Sequence, residues 1–352
     1  MIRMTRQYGK RQKLALLLLV LGGIVAAAIL LYTIGMNLER ATEDPLAAQE
    51  QKGLPSVRTM QRQTVEYQGV QYALKKNLTS ILLIGVDKAE DVDTPQIAFR
   101  SGGHADYLSL LVIDDLEDTV KRINIDRDTI TDITVLSALG KPKGTRKAQI
   151  SLAHGFGGDA EQAAQLTVTA ASNLLQGLEI SDYVTFTMDG IAAMNELAGG
   201  VSVLIEEELT VLDPAFIKGE QVLLAGDQAE RFVRARKNVT DGTNLNRMDR
   251  QNAFLSAFSN LVTRKIQDDS GFINELLSSL EPYMVSSLRT GRLANIIYKA
   301  RGYTVSEPYS LSGERKVNAL NNMEFYPDED SVMKAILSAF YEKLAAAEPG
   351  GN

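Results

Sequence analysis

Cysteine is absent from the 352 residues, which excludes a disulfide framework, a zinc–thiolate site, an iron–sulfur cluster and thiol nucleophilic catalysis. Histidine is nearly absent: only His104 and His154 occur. Two imidazoles cannot build a multi-histidine metal centre, and a serine triad would have to recruit one of them. There is no GxSxG and no HExxH, and the stretch 140–145 has the glycines of a phosphate-binding loop without its Lys-Ser/Thr ending. Positive charge is also short. Taking the five basic residues of the first thirteen from the formal −7 leaves −12 for the rest, a poor match for nonspecific binding to DNA or RNA. What is present is apolar material: 45% hydrophobic against 23% charged positions gives a folded globular protein with a sizeable core.

Residues 14–38 carry no charge and open with LALLLLVLGGIVAAAILL, so about 25 residues are available to cross a hydrocarbon core. A cleaved signal has a shorter apolar region of about 7–15 residues, and no small-x-small site follows this one. Arg3, Arg6, Lys10, Arg11 and Lys13 precede the span, and Glu39, Arg40, Glu43 and Asp44 follow it. The positive-inside bias therefore predicts a cytoplasmic tail at 1–13, a transmembrane helix at 14–38 and an outward-facing remainder, in the manner of a single-pass membrane protein. Phosphate chemistry there cannot draw on cytoplasmic ATP and needs an activated donor such as a lipid-linked diphosphate.

Residues 39–63 are polar, contain Pro45 and Pro55, and read as a linker. From 64 to 345 one domain is expected. VEYQGVQYALKK alternates as a hairpin around Gln68-Gly69; SILLIGVD, YLSLLVID, TVKRINID, YVTFTMD and VSVLIEE read as strands. AEQAAQLTVTAASNLLQG, with Asp159 as N-cap, GIAAMNELAGG, RMDRQNAFLSAFSNLVTRKI, INELLSSLEPYMVSSL, RLANIIYKA and DSVMKAILSAFYEKL read as helices. Apolar strands interleaved with helices predict a three-layer α/β/α sandwich with a mixed central sheet, after the N-terminal transmembrane helix.

Asp87 stands where the apolar strand 81–86 stops, just after Gly85, and carboxyl ends of strands in open α/β sheets are where ligands bind. A turn aspartate fits the same place. Asp106 faces the same choice at the start of the next strand, and two such acids could hold a hard divalent cation through oxygen. IDRDT puts Arg127 and Asp128 after a third strand, where the arginine is either a surface ion-pair partner or a fork for phosphate oxygens. RFVRARK supplies Arg231, Arg234, Arg236 and Lys237; Arg234 and Arg236 share a face only if that segment is extended. Arg247, Arg250 and Gln251 fall at i, i+3 and i+4 and form one polar patch on a helix. For His154 a packed or hydrogen-bonded role is the expectation.

These pieces, in order LLIGVD, ADYLSLLVI, INIDRDT, HGFGG, FVRARK and RMDRQ, resemble the LytR-CpsA-Psr family of membrane-anchored phosphotransferases over about residues 72–265. The resemblance implies an α/β/α domain that moves a glycopolymer phosphate from a polyprenyl-diphosphate carrier onto peptidoglycan outside the cell, releasing polyprenyl phosphate, with a lipid tail in an apolar tunnel beside the sheet. Its polymer is a teichoic acid, capsule or another wall glycan. Carried over residue by residue, the resemblance makes Asp87 and Asp106 the holders of Mg2+ (or Mn2+) and one of them a base. It makes Arg127, Arg234 and Arg236 the catalytic arginines, with Arg247, Gln251, Lys147 and His104 completing the diphosphate site. A transition state dominated by charge and alignment suits arginines and a metal without a covalent step. Two positions differ from the family pattern. His104 stands where an arginine is usual, with Arg100 nearby in the loop, and Gln149 stands where a lysine is usual, with Lys147 two residues earlier. Those differences keep open a noncatalytic polyprenyl-phosphate binder or envelope-assembly protein, while the orientation and the acidic exported part argue against a transcriptional attenuator that touches DNA.

Overall fold

The computed structural model describes residues 63–87, 103–136, 141–235 and 244–344. The expected basic tail, membrane span and, except for Gln63, the linker lie outside the described residues, and among the described residues no helix is long and apolar enough to cross a membrane.

The domain opens with the expected hairpin, β1 (Thr64–Tyr67) and β2 (Val70–Leu74), turning on Gln68 and Gly69 at φ 51° and 75°. Two consecutive positive φ angles match the right-handed twist of a tight hairpin. Next come β3 (Leu78–Asp87), β4 (His104–Asp114), β5 (Thr119–Asn124), and a second hairpin of β6 (Ile130–Leu136) and β7 (Pro142–Gln149). Helix α1 (Ala160–Leu174) starts on Asp159, whose carboxylate accepts the Gln162 N–H at 2.8 Å, the cap expected of that residue. It leads to β8 (Asp182–Thr187), α2 (Gly190–Ala198), a ribbon of β9 (Val201–Leu204) and β10 (Gln221–Leu224), α3 (Gln228–Arg234) and the long α4 (Asn244–Asp268). The remainder is α5 (Phe272–Leu280), β11 (Met284–Ser286), α6 (Thr290–Ala300), β12 (Thr304–Val305), β13 (Tyr309–Ser310), a hairpin of β14 (Gly313–Val317) and β15 (Met323–Pro327), α7 (Glu329–Phe340) and β16 (Tyr341–Lys343).

The central sheet runs β11-β8-β3-β4-β5-β12, with β13 also on β5. It is mixed, as expected: β3 pairs parallel with β8 and antiparallel with β4, and β5 is antiparallel to β4 but parallel to β12 and β13. Alternation along the strands feeds two cores. Ile81 and Ile113 join α2–α6 and β9–β10 on one face, while Leu82, Ile84, Val86, Leu108, Leu110 and Val112 join α1 and α7 on the other. That is the three-layer sandwich.

Two helices are shorter than the sequence predicts. INELLSSLEPYMVSSL stops at Leu280, because Pro282 has no N–H to continue the ladder, and Met284–Ser286 becomes an edge strand on β8. DSVMKAILSAFYEKL stops at Phe340, and Tyr341–Lys343 extends to satisfy the open edge of β2.

Candidate active site

Strands β3, β5 and β8 run in one direction and β4 in the other, so the chain ends of three strands and the start of the fourth share one edge of the sheet. Asp87 ends β3 opposite His104, the first residue of β4; the side chain of Asp87 lies outside the description. Gly85 pairs with Tyr107 and Val86 with Ala105, which leaves Asp106 as the extra residue of a β-bulge. A bulge re-aims a side chain out of the pleat, and here the chain it turns is a carboxylate. The substitution Gly85→Ala would put a Cβ 2.9 Å from the Tyr107 Cβ, so glycine is what lets β4 come this close.

The Asp106 carboxylate is shared by two guanidinium groups from distant parts of the chain. Arg127 Nη1 donates to Oδ1, and Arg247 Nη1 donates to Oδ2 at 3.2 Å. Asp106 is 8% exposed and Arg247 4%, so these are charges largely removed from water and dependent on one another. Arg127 follows β5 in a turn whose Thr129 N–H bonds the Asp126 carbonyl at 3.0 Å. Arg247 comes from the first turns of α4. One turn on, Gln251 is buried, and its Nε2 donates to the Val233 carbonyl at 3.3 Å at the end of α3.

Beside this cluster an apolar cavity of about 80 Å³ opens between the sheet and α4, walled by Tyr107, Met188, Val233, Gln251, Phe254 and Leu255 among others. Burial pushes the Tyr107 phenol up, against the Ser109 hydrogen bond and the Arg122 charge, so it stays neutral. Tyr107 and Gln251 belong to both regions: each adjoins the charged cluster in sequence or by helix turn and each lines the cavity.

The other expected residues are distributed around this centre. His104 reaches solvent at the rim; the protein around it first, and the Arg127 charge second, hold its imidazole below the ordinary value despite Asp106. Arg234 ends α3 and donates to Glu230 at 2.5 Å. Arg250 turns away from Arg247, binding Glu207 and the carbonyls of Phe232 (2.9 Å) and Ala235, and so fastens α3 to α4. Lys147 is exposed and faces Asp132 across the β6–β7 hairpin at 3.5 Å. Gln149 points to Asp128 (3.1 Å) and the Met323 carbonyl (2.6 Å). His154 is buried, with Nδ1 3.0 Å from the Gly103 carbonyl, a hydrogen-bonded structural role as expected. Arg100, Arg236 and Lys237 lie outside the described residues.

Among the described residues no three carboxylate or imidazole groups come together as a metal would need, and the one described carboxylate of the cluster has both oxygens on guanidinium groups. This donor set by itself does not fit a divalent cation. Asp126, inside IDRDT, and Arg315, in a short charged strand with no motif around it, form an ion pair behind Arg127 that no local sequence signal marks.

The described domain is thus an α/β/α sandwich with a guanidinium–carboxylate cluster at the strand ends and an apolar cavity lined by the neighbouring Tyr107 and Gln251. The chain belongs to the LytR-CpsA-Psr family, matching the LytR_cpsA_psr family over residues 41–337. Among its relatives, the polyisoprenyl-teichoic acid–peptidoglycan teichoic acid transferase TagU of Halalkalibacterium halodurans is 33% identical over 178 residues, 51% of each chain. TagV of Bacillus subtilis, which bears the corresponding name, is 31% identical over 191 residues, 52% of this chain and 44% of that one. The chain thus spans about half the length of the curated relatives it matches. Solved structures share the fold: B. subtilis TagV superposes with a TM-score of 0.54 at 23% identity, covering 76% of this chain and 97% of that one. A structure of TagT bound to LI-WTA gives 0.56 at 19%, over 75% and 91%.

Proposed function

We propose that this chain transfers a glycopolymer phosphate from a polyprenyl-diphosphate carrier to peptidoglycan, outside a bacterial cell membrane that it spans once with its N-terminus in the cytoplasm. The observation that carries the reading is the Arg127–Asp106–Arg247 cluster together with the apolar cavity lined by Tyr107, next to Asp106, and by Gln251, one helix turn on from Arg247. A lipid diphosphate has a charged head on an apolar tail, and this edge offers both environments on neighbouring residues. Relatives named as teichoic acid transferases agree with it.

The geometry yields a route for the reaction. Diphosphate oxygens replace the Asp106 carboxylate on Arg127 and Arg247, exchanging one charge-assisted pair for another. The guanidinium groups then carry the charge that grows on the phosphates as the bond to the leaving polyprenyl phosphate breaks. The acceptor hydroxyl attacks the polymer-bearing phosphorus and loses its proton to Asp106, which that exchange has released. The products are a phosphodiester to peptidoglycan and polyprenyl phosphate. Mg2+ or Mn2+, which the family resemblance implies, is given no step in this route.

Purified protein incubated with a lipid-diphosphate glycan, the divalent cation and a peptidoglycan oligomer is expected to give linked product. Arg127→Ala should cut transfer by about 100-fold, the scale of losing one preorganised charge at a transition state. Undiminished transfer by Arg127→Ala would remove the assigned role. A second reading, a polyprenyl-phosphate binder without transfer, is favoured by the neutral His104 at the rim and by an Asp106 already bound on both oxygens. It predicts copurified lipid and no linked product, with His104→Arg restoring transfer.

A further inference from the structure

The turn that carries Arg127 is held from the far side of the sequence. Asp126 and Asp128 flank the arginine and are 4% and 3% exposed. Asp126 Oδ1 accepts the Asp128 N–H at 2.9 Å, closing the turn. Its Oδ2 meets Arg315 Nη2, from β14, at 2.6 Å. The Arg315 guanidinium lies over the Phe325 ring, 4.5 Å from its centroid, and Phe325 is 3% exposed on β15. The same hairpin makes three more attachments. The Phe325 N–H bonds the Asp128 carbonyl at 2.9 Å, Phe325 bridges in parallel to Thr129, and the Met323 carbonyl receives the Gln149 amide that also binds Asp128. Arg127 itself has its Nε 3.6 Å from Asp128 Oδ1. The residues on both sides of the arginine are therefore tied to β14–β15, Asp128 through its carbonyl and Asp126 through its carboxylate, while the Arg127 carbonyl accepts the Ser151 N–H at 3.2 Å.

We propose that Arg315 is a positioning residue for Arg127: it fixes Asp126 and, with the Phe325 backbone, locks the turn so that the Arg127 guanidinium meets Asp106 in the free protein and diphosphate oxygens in the complex. The proposal rests on the reading of the site as a diphosphate-handling centre. A stacked, planar fork suits the task, because it fixes direction as well as charge. An arginine misplaced by even about 1 Å can cost roughly 100-fold in rate.

The test is a double-mutant cycle of Arg315→Ala and Arg127→Ala, with Arg315→Lys as the variant that keeps charge and loses the fork. Farnesyl diphosphate binding is read by calorimetry and transfer by linked product. Arg315→Ala should lower kcat by about 10- to 100-fold and weaken farnesyl diphosphate binding, Arg315→Lys should recover part of both, and the double variant should be no worse than Arg127→Ala alone. Additive losses would overturn the proposal, since a general loss of fold has no reason to vanish when Arg127 is absent. A ligand-independent arm separates this from the functional reading: the 15N arginine Nε–H signal of Arg127, identified by its loss in Arg127→Lys, should broaden or shift in folded Arg315→Ala or Arg315→Lys. If the signal stays unchanged, the positioning role is wrong whatever the protein binds. If it moves while wild type neither binds farnesyl diphosphate nor transfers, the positioning stands and the functional reading falls.

Discussion

Asp106 is the residue on which the site turns, because a single carboxylate accepts from two guanidinium groups that are themselves mostly out of water. Removing it takes the shared carboxylate from two largely buried guanidinium groups, and breaking a buried pair costs about 3–5 kcal/mol. Asp106→Ala should therefore lower stability by roughly 3 kcal/mol in urea unfolding. Pyrophosphate can take the place of the missing carboxylate, so it should raise the unfolding midpoint of Asp106→Ala by more than that of wild type. An equal response in both proteins would show that the arginines do not present a common anion site. At this scale the sequence was informative for the residues with a strand end or helix turn to announce them: Asp106, Arg127 and Arg247 do meet at one edge, and Gln251 lies one helix turn on from Arg247. The bulge that aims Asp106 was not legible, since it depends on the register of Gly85 against Tyr107. Nor was the Asp126–Arg315 pair, in which the two residues come from unrelated short segments.

Among the elements, the corner where β2 passes into β3 and β4 into β5 carries a buried ion pair well away from the site. Lys75 Nζ lies 2.8 Å from Asp114 Oδ2, and Asp114 also accepts the Leu116 and Glu117 N–H groups at 3.0 and 3.1 Å. Burial alone would raise the Asp114 carboxyl, but the Lys75 and backbone hydrogen bonds hold it below its ordinary value. Burial likewise opposes the Lys75 charge, and the hydrogen bonds to Asp114 and Glu117 outweigh it and raise the ammonium. A carboxyl lowered on folding adds stability above its unfolded value, about pH 4, and loses it as pH falls through the folded value; a raised lysine loses its share only as pH climbs beyond about 10. Between pH 6 and pH 3 the wild type should therefore lose more urea resistance than Asp114→Asn, and a parallel decline in the two proteins would contradict the pairing. The elements themselves were read well where period and length were strong, as in β3, β4, α1 and α4. They were misread where tertiary pairing decided the outcome. Residues 284–286 and 341–343 have enough apolar character to continue a helix, but edges on β8 and β2 claim them as strands. The charged β7, PKGTRKAQ, has little strand signal of its own and is defined by its partner β6.

For the molecule as a whole, the motifs legible in the sequence end near residue 265, whereas the family match runs on to 337 and the fold continues with it. Phe272, Ile273, Leu276, Leu277 and Leu280 of α5 enter the core on one face of the sheet, and Val332, Ile336, Leu337 and Phe340 of α7 enter the core on the other. The β14–β15 hairpin reaches the Arg127 turn, and β16 closes against β2 near the start of the domain. Fully burying each large apolar side chain contributes about 1.5–3 kcal/mol, and removing α5 and α7 would uncover the opposing faces of both cores. A chain truncated after Asp268 should then fail to form the cooperative domain, even though it retains Asp87, Asp106, Arg127 and the whole of α4. Urea titration followed by circular dichroism should show a single steep transition for residues 57–352 and only a shallow, featureless decline for 57–268. A steep transition in the shorter chain would mean that the motif-bearing region folds by itself and that the C-terminal segment is an attachment. The expected result makes that segment part of the scaffold that brings Arg127, Asp106 and Arg247 together.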